Sequence, residues 1–227
     1  RHGGEGFGGG RGGGGRDRGS GVLTIRRRGE ALPAVLTITG PMRSGTSRVA
    51  RIAHQLGISM GTQMRLPPPG TALDPEYEDQ PLADALATFA LRGVLDEALL
   101  EGYRRVRQEE AKGSRWGFKS PLLLLCWSAW IRSVAQGSSE PPVVILCTRE
   151  APSCRESLVR ASRSETELRA LLGIQARILQ ALAEREGAGD LRIPFGMSPR
   201  EIAAQIAHRM EIPDPDLDLA ILGVRAE

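Results

Sequence analysis

The chain has 227 residues, 41% hydrophobic and 25% charged, with a formal net charge of +3; that is the make-up of a soluble globular protein, not of a fibrous or membrane-embedded one. The charge is lopsided: residues 1–30 hold seven arginines against Glu5, Asp17 and Glu30, a net of +4, so the remainder stands near −1 and its charge does not point to nucleic acid. Aromatic residues make up only 4%, so aliphatic side chains must build the core.

Residues 1–21 contain twelve glycines with interspersed arginine. Such a stretch cannot bury enough apolar surface to offset its ordering entropy, so residues 1–30 are expected to be a disordered arm and residues 31–227 a folded domain. The chain opens on Arg1 and not on Met, which reads as a fragment or a processed product. Ala34–Thr39 is a short β-branched run ending at Gly40, the pattern of a buried strand. Ser44–Leu56 follows with helical spacing, placing Val49, Ile52, Ala53 and Leu56 on one face, and Gly57 ends it. Residues 65–76, with three prolines at 67–69, read as loop. Gln80–Leu100 is one or two helices, with Leu82, Leu86, Leu91, Leu95 and Leu99 as its apolar positions. Arg115–Lys119 is a second strand, and Leu122–Val134 a helix with Pro121 in its first turn. Pro142–Thr148 is apolar throughout, as a central parallel strand is. Pro152–Ala161 and Glu167–Glu186 are helices, Leu191–Phe195 a short strand. Ser198 opens the last helix, with Pro199 at its first position and Glu201 at its third. Alternating strands and helices imply an α/β fold of three layers, a central parallel sheet with helices on both faces.

Cys126, Cys147 and Cys154 are odd in number and lack metal-ligand spacing, so a disulfide framework is not expected and a reducing cytoplasm is. The apolar run at 122–126 is too short to span a bilayer.

The chemistry concentrates after the first strand. Gly40-Pro-Met-Arg-Ser-Gly45-Thr-Ser47 has the spacing of a Walker A loop with Thr46 where the lysine belongs. A strand that turns through two glycines into a helix aims successive N–H groups and a positive dipole end at one point, which suits phosphate or sulfate. Without the lysine, triphosphate hydrolysis loses its main cation. Arg43 offers a planar guanidinium instead, and Thr46 and Ser47 offer hydroxyls at the first helical turn. The strand Val143–Thr148 ends in Arg149, not in an aspartate, which favours a second anion contact over Mg²⁺.

These residues resemble a family. Thr37–Ser47 is similar to the 5′-phosphosulfate loop of sulfotransferases that use 3′-phosphoadenosine 5′-phosphosulfate (PAPS). Val143–Pro152, with Ser157 eight residues after Arg149, resembles the family's 3′-phosphate motif, in which an arginine at a strand end and a serine on the next helix hold the phosphate. Trp116-Gly-Phe-Lys119-Ser-Pro121 resembles its middle W-G-x-K-x-P element. The likeness runs from about residue 34 to 225 and departs in one place: there is no clear Gly-x-x-Gly-x-Trp-Lys segment near the C-terminus.

The resemblance implies a P-loop-like fold and transfer of a sulfuryl group from PAPS to a hydroxyl or amine of a small-molecule, carbohydrate or lipid acceptor, with no metal. It implies that Arg43, Ser44, Gly45, Thr46 and Ser47 bind the 5′ end of the nucleotide and Arg149 and Ser157 its 3′-phosphate. Arg43 is placed for the leaving phosphate and Lys119 for the transferring group. Asp74-Pro-Glu-Tyr-Glu78-Asp79 resembles a family stretch whose glutamate serves as base in some branches. Glu78 is the first choice and Asp79 the second; the only histidines are His2, His54 and His208, and a lone helical histidine is more often structural. The competing readings are a P-loop kinase or nucleotide-binding protein with a divergent loop, and a non-enzymatic binding protein.

Overall fold

The computed structural model describes residues 35–61, 63, 77–111, 114–135, 141–185 and 191–224. The Gly/Arg-rich arm and the loop expected at 65–76 lie outside the described residues.

Four strands, β1 (Leu36–Thr39), β2 (Gly117–Lys119), β3 (Val143–Thr148) and β4 (Leu191–Pro194), form one parallel sheet in the order β2-β1-β3-β4. Ile38 stands beside both Lys119 and Ile145, and Thr148 beside Pro194. Proline is tolerated in β4 because that strand is at the edge, where a missing N–H costs no ladder bond. β1 lies between β2 and β3. The chain leaves β1 towards β2 and then crosses back to β3, so the connections diverge beside β1. In such sheets the ligand crevice lies off the carboxyl ends of the strands at that point.

Alternation along β1 splits the core. Leu36 and Ile38 face one way and join Ile145, Cys147 and Ile193 beneath α1 (Thr46–Gln55), α7 (Pro199–Arg209) and the short α8 (Leu217–Ala220). Val35 belongs to the opposite face, where Phe118, Leu123 and Trp130 pack with α2 (Gln80–Arg92), α3 (Glu97–Ala111) and α4 (Trp127–Ala135). This is the α/β sheet with helices on both faces that the alternation of elements implies. Trp130, fully buried, meets Phe118 edge-to-face at 4.5 Å and donates its indole N–H to the Thr37 hydroxyl, so neither buried polar group is orphaned. Thr39 donates its hydroxyl to the Ser120 carbonyl at 2.9 Å. Two polar side chains thus line β1 on the path to the loop.

Two elements differ from expectation, at 121–126 and at α8, and one alternative is settled. Gln80–Leu100 is the two-helix case: α2 stops at Gly93, whose φ of 72° is left-handed, and α3 begins at Glu97 and runs on to Ala111. The break takes Leu91 and Leu99 out of a common face with Leu82 and Leu86, and both are exposed. Residues 121–126 form a 3₁₀ helix before α4 begins. Ser120 caps it through Leu122 N, Pro121 starts it, and three residues per turn eclipse the buried Leu123 and Cys126. Helix α8 has no counterpart in the sequence reading; four residues carry too little periodicity to register. Helix α7 does carry the expected capping box, Ser198 and Glu201 bonding reciprocally.

Arginine staples the periphery. Arg115 donates to the carbonyls of Met210 and Glu211 past the end of α7, and Arg177 to the carbonyl of Ala90 in the last turn of α2. Guanidinium donors at helix C-termini satisfy orphan carbonyls and oppose the dipole.

Candidate functional site

After Thr39 the backbone turns hard across the top of the sheet. Gly40 has φ 152°, and a Cβ there would stand 2.3 Å from the Cys147 carbonyl oxygen on β3. The chain then makes a turn closed by Ser44 N donating to Pro41 O at 3.2 Å. Arg43, third in that turn, has φ 66°. A turn with a left-handed third residue favours glycine, and an arginine there costs about 1 kcal/mol or more. Such strain persists where the surroundings over-determine it, commonly at ligand sites.

Helix α1 begins without a cap. Its N-cap residue is Gly45, which offers no side chain to cap it, and no acidic residue lies in the first turn. The first-turn N–H groups of a helix have no intrahelical acceptor, so here their positive end is left for something else. The Ser44 hydroxyl is in the same condition: the residue is 2% exposed and its Oγ has no hydrogen-bond partner among the described residues. Thr46 is buried and Ser47 half-buried beside it.

Three arginines surround this end. Arg149, one step beyond β3, donates to the Arg43 carbonyl at 3.0 Å and lies 3.7 Å over the Phe195 ring. Arg48, on α1, lies 5.5 Å from the same ring and donates to the Phe195 carbonyl. Arg43 donates its Nε to the Ser157 hydroxyl, on α5 (Ala151–Ala161), at 3.0 Å. None of the three has a carboxylate partner among the described residues. Gathering unneutralised cations costs folding energy that a bound anion would return.

The residues expected to hold a nucleotide therefore come together, with one difference. The side chain of Arg43, expected at the leaving phosphate, reaches Ser157, the residue expected at the 3′-phosphate. Arg48, Phe195 and Gln175 had not been read as site residues. Gln175, on α6 (Glu165–Ala183), is 5% exposed and accepts the Met42 N–H at 2.9 Å. Nothing local marks it, since a buried glutamine on a helix 133 residues away meets the loop only through folding. Arg48 is one of many arginines on helices, and Phe195 ends a run that reads only as a short strand, so neither carries a local signal.

Gln175 holds the loop from below. Its replacement by Leu should leave the half-buried Met42 N–H without its acceptor and cost about 1–3 kcal/mol. Faster amide exchange at residues 41–45 should accompany the loss, with Gln175→Glu, which keeps the acceptor, less affected. An unchanged melting temperature and unchanged exchange in Gln175→Leu would show that the bond does not hold the loop.

Lys119, at the end of β2, is not a surface charge. Its Nζ lies 2.7 Å from Glu78 Oε1, and the two residues are 5% and 7% exposed. The residues chosen for the transferring group and for the base thus form one buried ion pair. Asp79, the second choice for base, is fully engaged. Its Oδ1 accepts from Gln63 N at 2.8 Å, its Oδ2 from the Tyr103 hydroxyl, and Arg107 Nε is 3.8 Å away. Gly61 gives it room, for a Cβ there would come within 2.8 Å of it. Asp79 is a structural hub. A mainly apolar recess of about 370 Å³ lies beside it, lined by Pro81, Leu99, Tyr103, Val106 and Arg107.

His54 and His208 are exposed on the later turns of α1 and α7, and His2 lies outside the described residues. All three cysteines are free and buried. Burial pushes the Cys147 thiol up to about 12, against the pull of Lys119 and Arg48, and raises Cys154 too. Neither thiol is a nucleophile at neutral pH. Among the described residues no cluster of His, Cys, Asp or Glu could hold a metal, and no helix is long and apolar enough to cross a membrane.

No family model matches the chain, and no curated protein matches it. Among solved structures the chain is similar to the crystal structure of the sulfotransferase STF1 from Mycobacterium tuberculosis H37Rv (type1 form). The identity is 14%, the match covers 87% of this chain and 73% of that one, and the TM-score is 0.51. At that identity the likeness concerns the fold: a parallel sheet flanked by helices, of the P-loop-like kind.

Proposed function

We propose that this chain transfers a sulfuryl group from PAPS to an acceptor hydroxyl or amine. The observation that carries the reading is the convergence of Arg43, Arg48 and Arg149, which have no carboxylate partner among the described residues, on an uncapped helix start beside a Ser44 hydroxyl that likewise has no partner among them. The residues fit a nucleotide with anions at both its 3′ and 5′ positions. Gly40 and Gly45 let the loop lie close against β3 and the Phe195 ring, and the donors gathered there are positive or neutral throughout.

In this reading the bound nucleotide supplies the activated sulfuryl group. The first-turn amides of α1 and the Ser44, Thr46 and Ser47 hydroxyls bind its 5′ end. Arg149 and Ser157 hold the 3′-phosphate, and Arg43, with only its Nε engaged, spans the two subsites. Charge spread over equatorial oxygens is met by these fixed donors, so positioning and electrostatics supply most of the rate. Glu78 takes the acceptor's proton. Lys119 fixes that carboxylate and keeps two further N–H donors for the transferring group. The apolar recess beside Asp79 suits an acceptor with an apolar part, among the small-molecule, carbohydrate and lipid classes. A cytoplasmic setting fits three free, buried cysteines.

The alternative, a P-loop kinase or nucleotide hydrolase, lacks both the lysine, replaced by Thr46, and a carboxylate at the end of β3, where Arg149 stands. Thermal stability separates the two. Adenosine 3′,5′-bisphosphate at a hundredfold excess over its Kd should stabilise the protein by ~2.7 kcal/mol, and ATP-Mg much less. Stabilisation by ATP-Mg alone would overturn the sulfotransferase reading. Arg149→Ala should weaken the bisphosphate more than adenosine 5′-phosphate; equal losses would remove the 3′-phosphate assignment.

A further inference from the structure

Phe195 occupies a place that the proposed chemistry does not yet use. In the parallel register Thr148 of β3 stands beside Pro194 of β4, so the next residues, Arg149 and Phe195, continue side by side. The Phe195 N–H, donated to Thr148 O at 2.9 Å, prolongs the ladder to this point. The sheet itself therefore sets the ring next to the guanidinium. Arg149 lies 3.7 Å over that ring, Arg48 is 5.5 Å from it, and the Phe195 carbonyl receives the Arg48 side chain. The ring also reaches the loop: a Cβ on Gly45 would be 3.2 Å from Phe195 Cδ2. One half-buried aromatic residue touches the helix start and two of the three arginines there that have no carboxylate partner among the described residues.

An aromatic face is electronegative and attracts a guanidinium without neutralising it. A carboxylate in the same place would fix Arg149 equally well but would compete with a bound anion. A phenylalanine restricts the side chain's rotamers and leaves its charge available. We propose that Phe195 is a positioning residue, holding Arg149 and Arg48 as pre-oriented, unpaired cations for the 3′-phosphate side of the nucleotide. The inference rests on the two-anion reading of the site. It gives Gly45 a second reason to be glycine, since a side chain there would press on the ring.

Binding constants for adenosine 3′,5′-bisphosphate and adenosine 5′-phosphate test it, measured by calorimetry on the full chain, Phe195→Leu, Phe195→Tyr, Arg149→Ala and the double variant Phe195→Leu/Arg149→Ala. Phe195→Leu should weaken the bisphosphate about 5- to 30-fold and the monophosphate little. Phe195→Tyr should retain wild-type affinity. The double variant should fall well short of additivity, because the ring acts largely through that arginine and only the part that runs through Arg48 remains to be lost. Equal weakening of both nucleotides, or full additivity in the double variant, would overturn the proposal, since a purely packing role gives that pattern. The Arg149 side-chain Nε–H resonance supplies a ligand-free check. It should be ring-shifted upfield in wild type and Phe195→Tyr and unshifted in Phe195→Leu; an unshifted wild-type resonance also overturns the proposal. A shifted resonance in a wild type that shows no preference for the bisphosphate would instead sink the nucleotide reading beneath it.

Discussion

Gly40→Ala should be among the most destabilising single-methyl additions in this protein, costing about 3–5 kcal/mol. The added Cβ would stand 2.3 Å from Cys147 O, 2.9 Å from Ser44 Oγ and 3.1 Å from Cys147 C. Two of these atoms are backbone on β3, which is paired with β1 on one side and β4 on the other. A central strand cannot retreat without breaking a ladder, so the loop must move instead. Its movement would take Ser44 and the start of α1 with it. The φ of 152° adds strain for any residue with a side chain. Gly57→Ala is the control. There φ is 83° but nothing lies within 4 Å, so only backbone strain remains, about 1–2 kcal/mol. Urea unfolding distinguishes the cases. Equal midpoints for the two variants would mean that the loop does not press on β3. Because a domain holds only about 5–15 kcal/mol in total, Gly40→Ala should also lower expression.

The second large effect concerns Lys119 and Glu78. Removing one member of a buried pair leaves the other charge desolvated and uncompensated, at about 3–5 kcal/mol. Lys119→Ala and Glu78→Ala should each lose that much. The double replacement Lys119→Met/Glu78→Leu should recover most of it, since well-packed apolar residues in place of a buried pair are often neutral or stabilising. Turnover should not return with stability. If Glu78 accepts the acceptor's proton, Glu78→Gln should lower turnover by about 10²- to 10⁴-fold while the bisphosphate still binds. A stable double variant with full turnover would clear both residues of a chemical role. A double variant as unstable as the singles would mean that the pair is not buried together.

Much of the architecture was legible because its signals are local. The β-branched run before Gly40, the apolar face of α1 and the capping box at Ser198 each depend on residues within one or two turns of one another, and each lies where expected. The break after α2 was harder. Leu91, Leu95 and Leu99 continue an apolar spacing past Gly93, and only packing turns Leu91 and Leu99 outward. The 3₁₀ helix at 121–126 was not legible, because a run of leucines suits either helical form until its neighbours choose the period.

The loop from Gly40 to Ser47 could be recognised from its spacing as a phosphate cradle, and the chemistry of Thr46 and Arg43 could be read there too. Two glycines, a strand and a helix start are adjacent in the chain, and their geometry follows from backbone rules alone. What surrounds the loop was decided by tertiary structure. Phe195 meets Arg149 through the register of an edge strand, Gln175 meets Met42 across 133 residues, and Lys119 meets Glu78 across 41. Such contacts depend on where the sheet and helices bring distant segments, and no local pattern encodes that. The sequence by itself determined an α/β sheet whose first strand runs into a glycine loop with the spacing expected of an anion cradle. Only the fold decided which side chain holds that loop, which arginines gather at its helix start and that Lys119 pairs with Glu78.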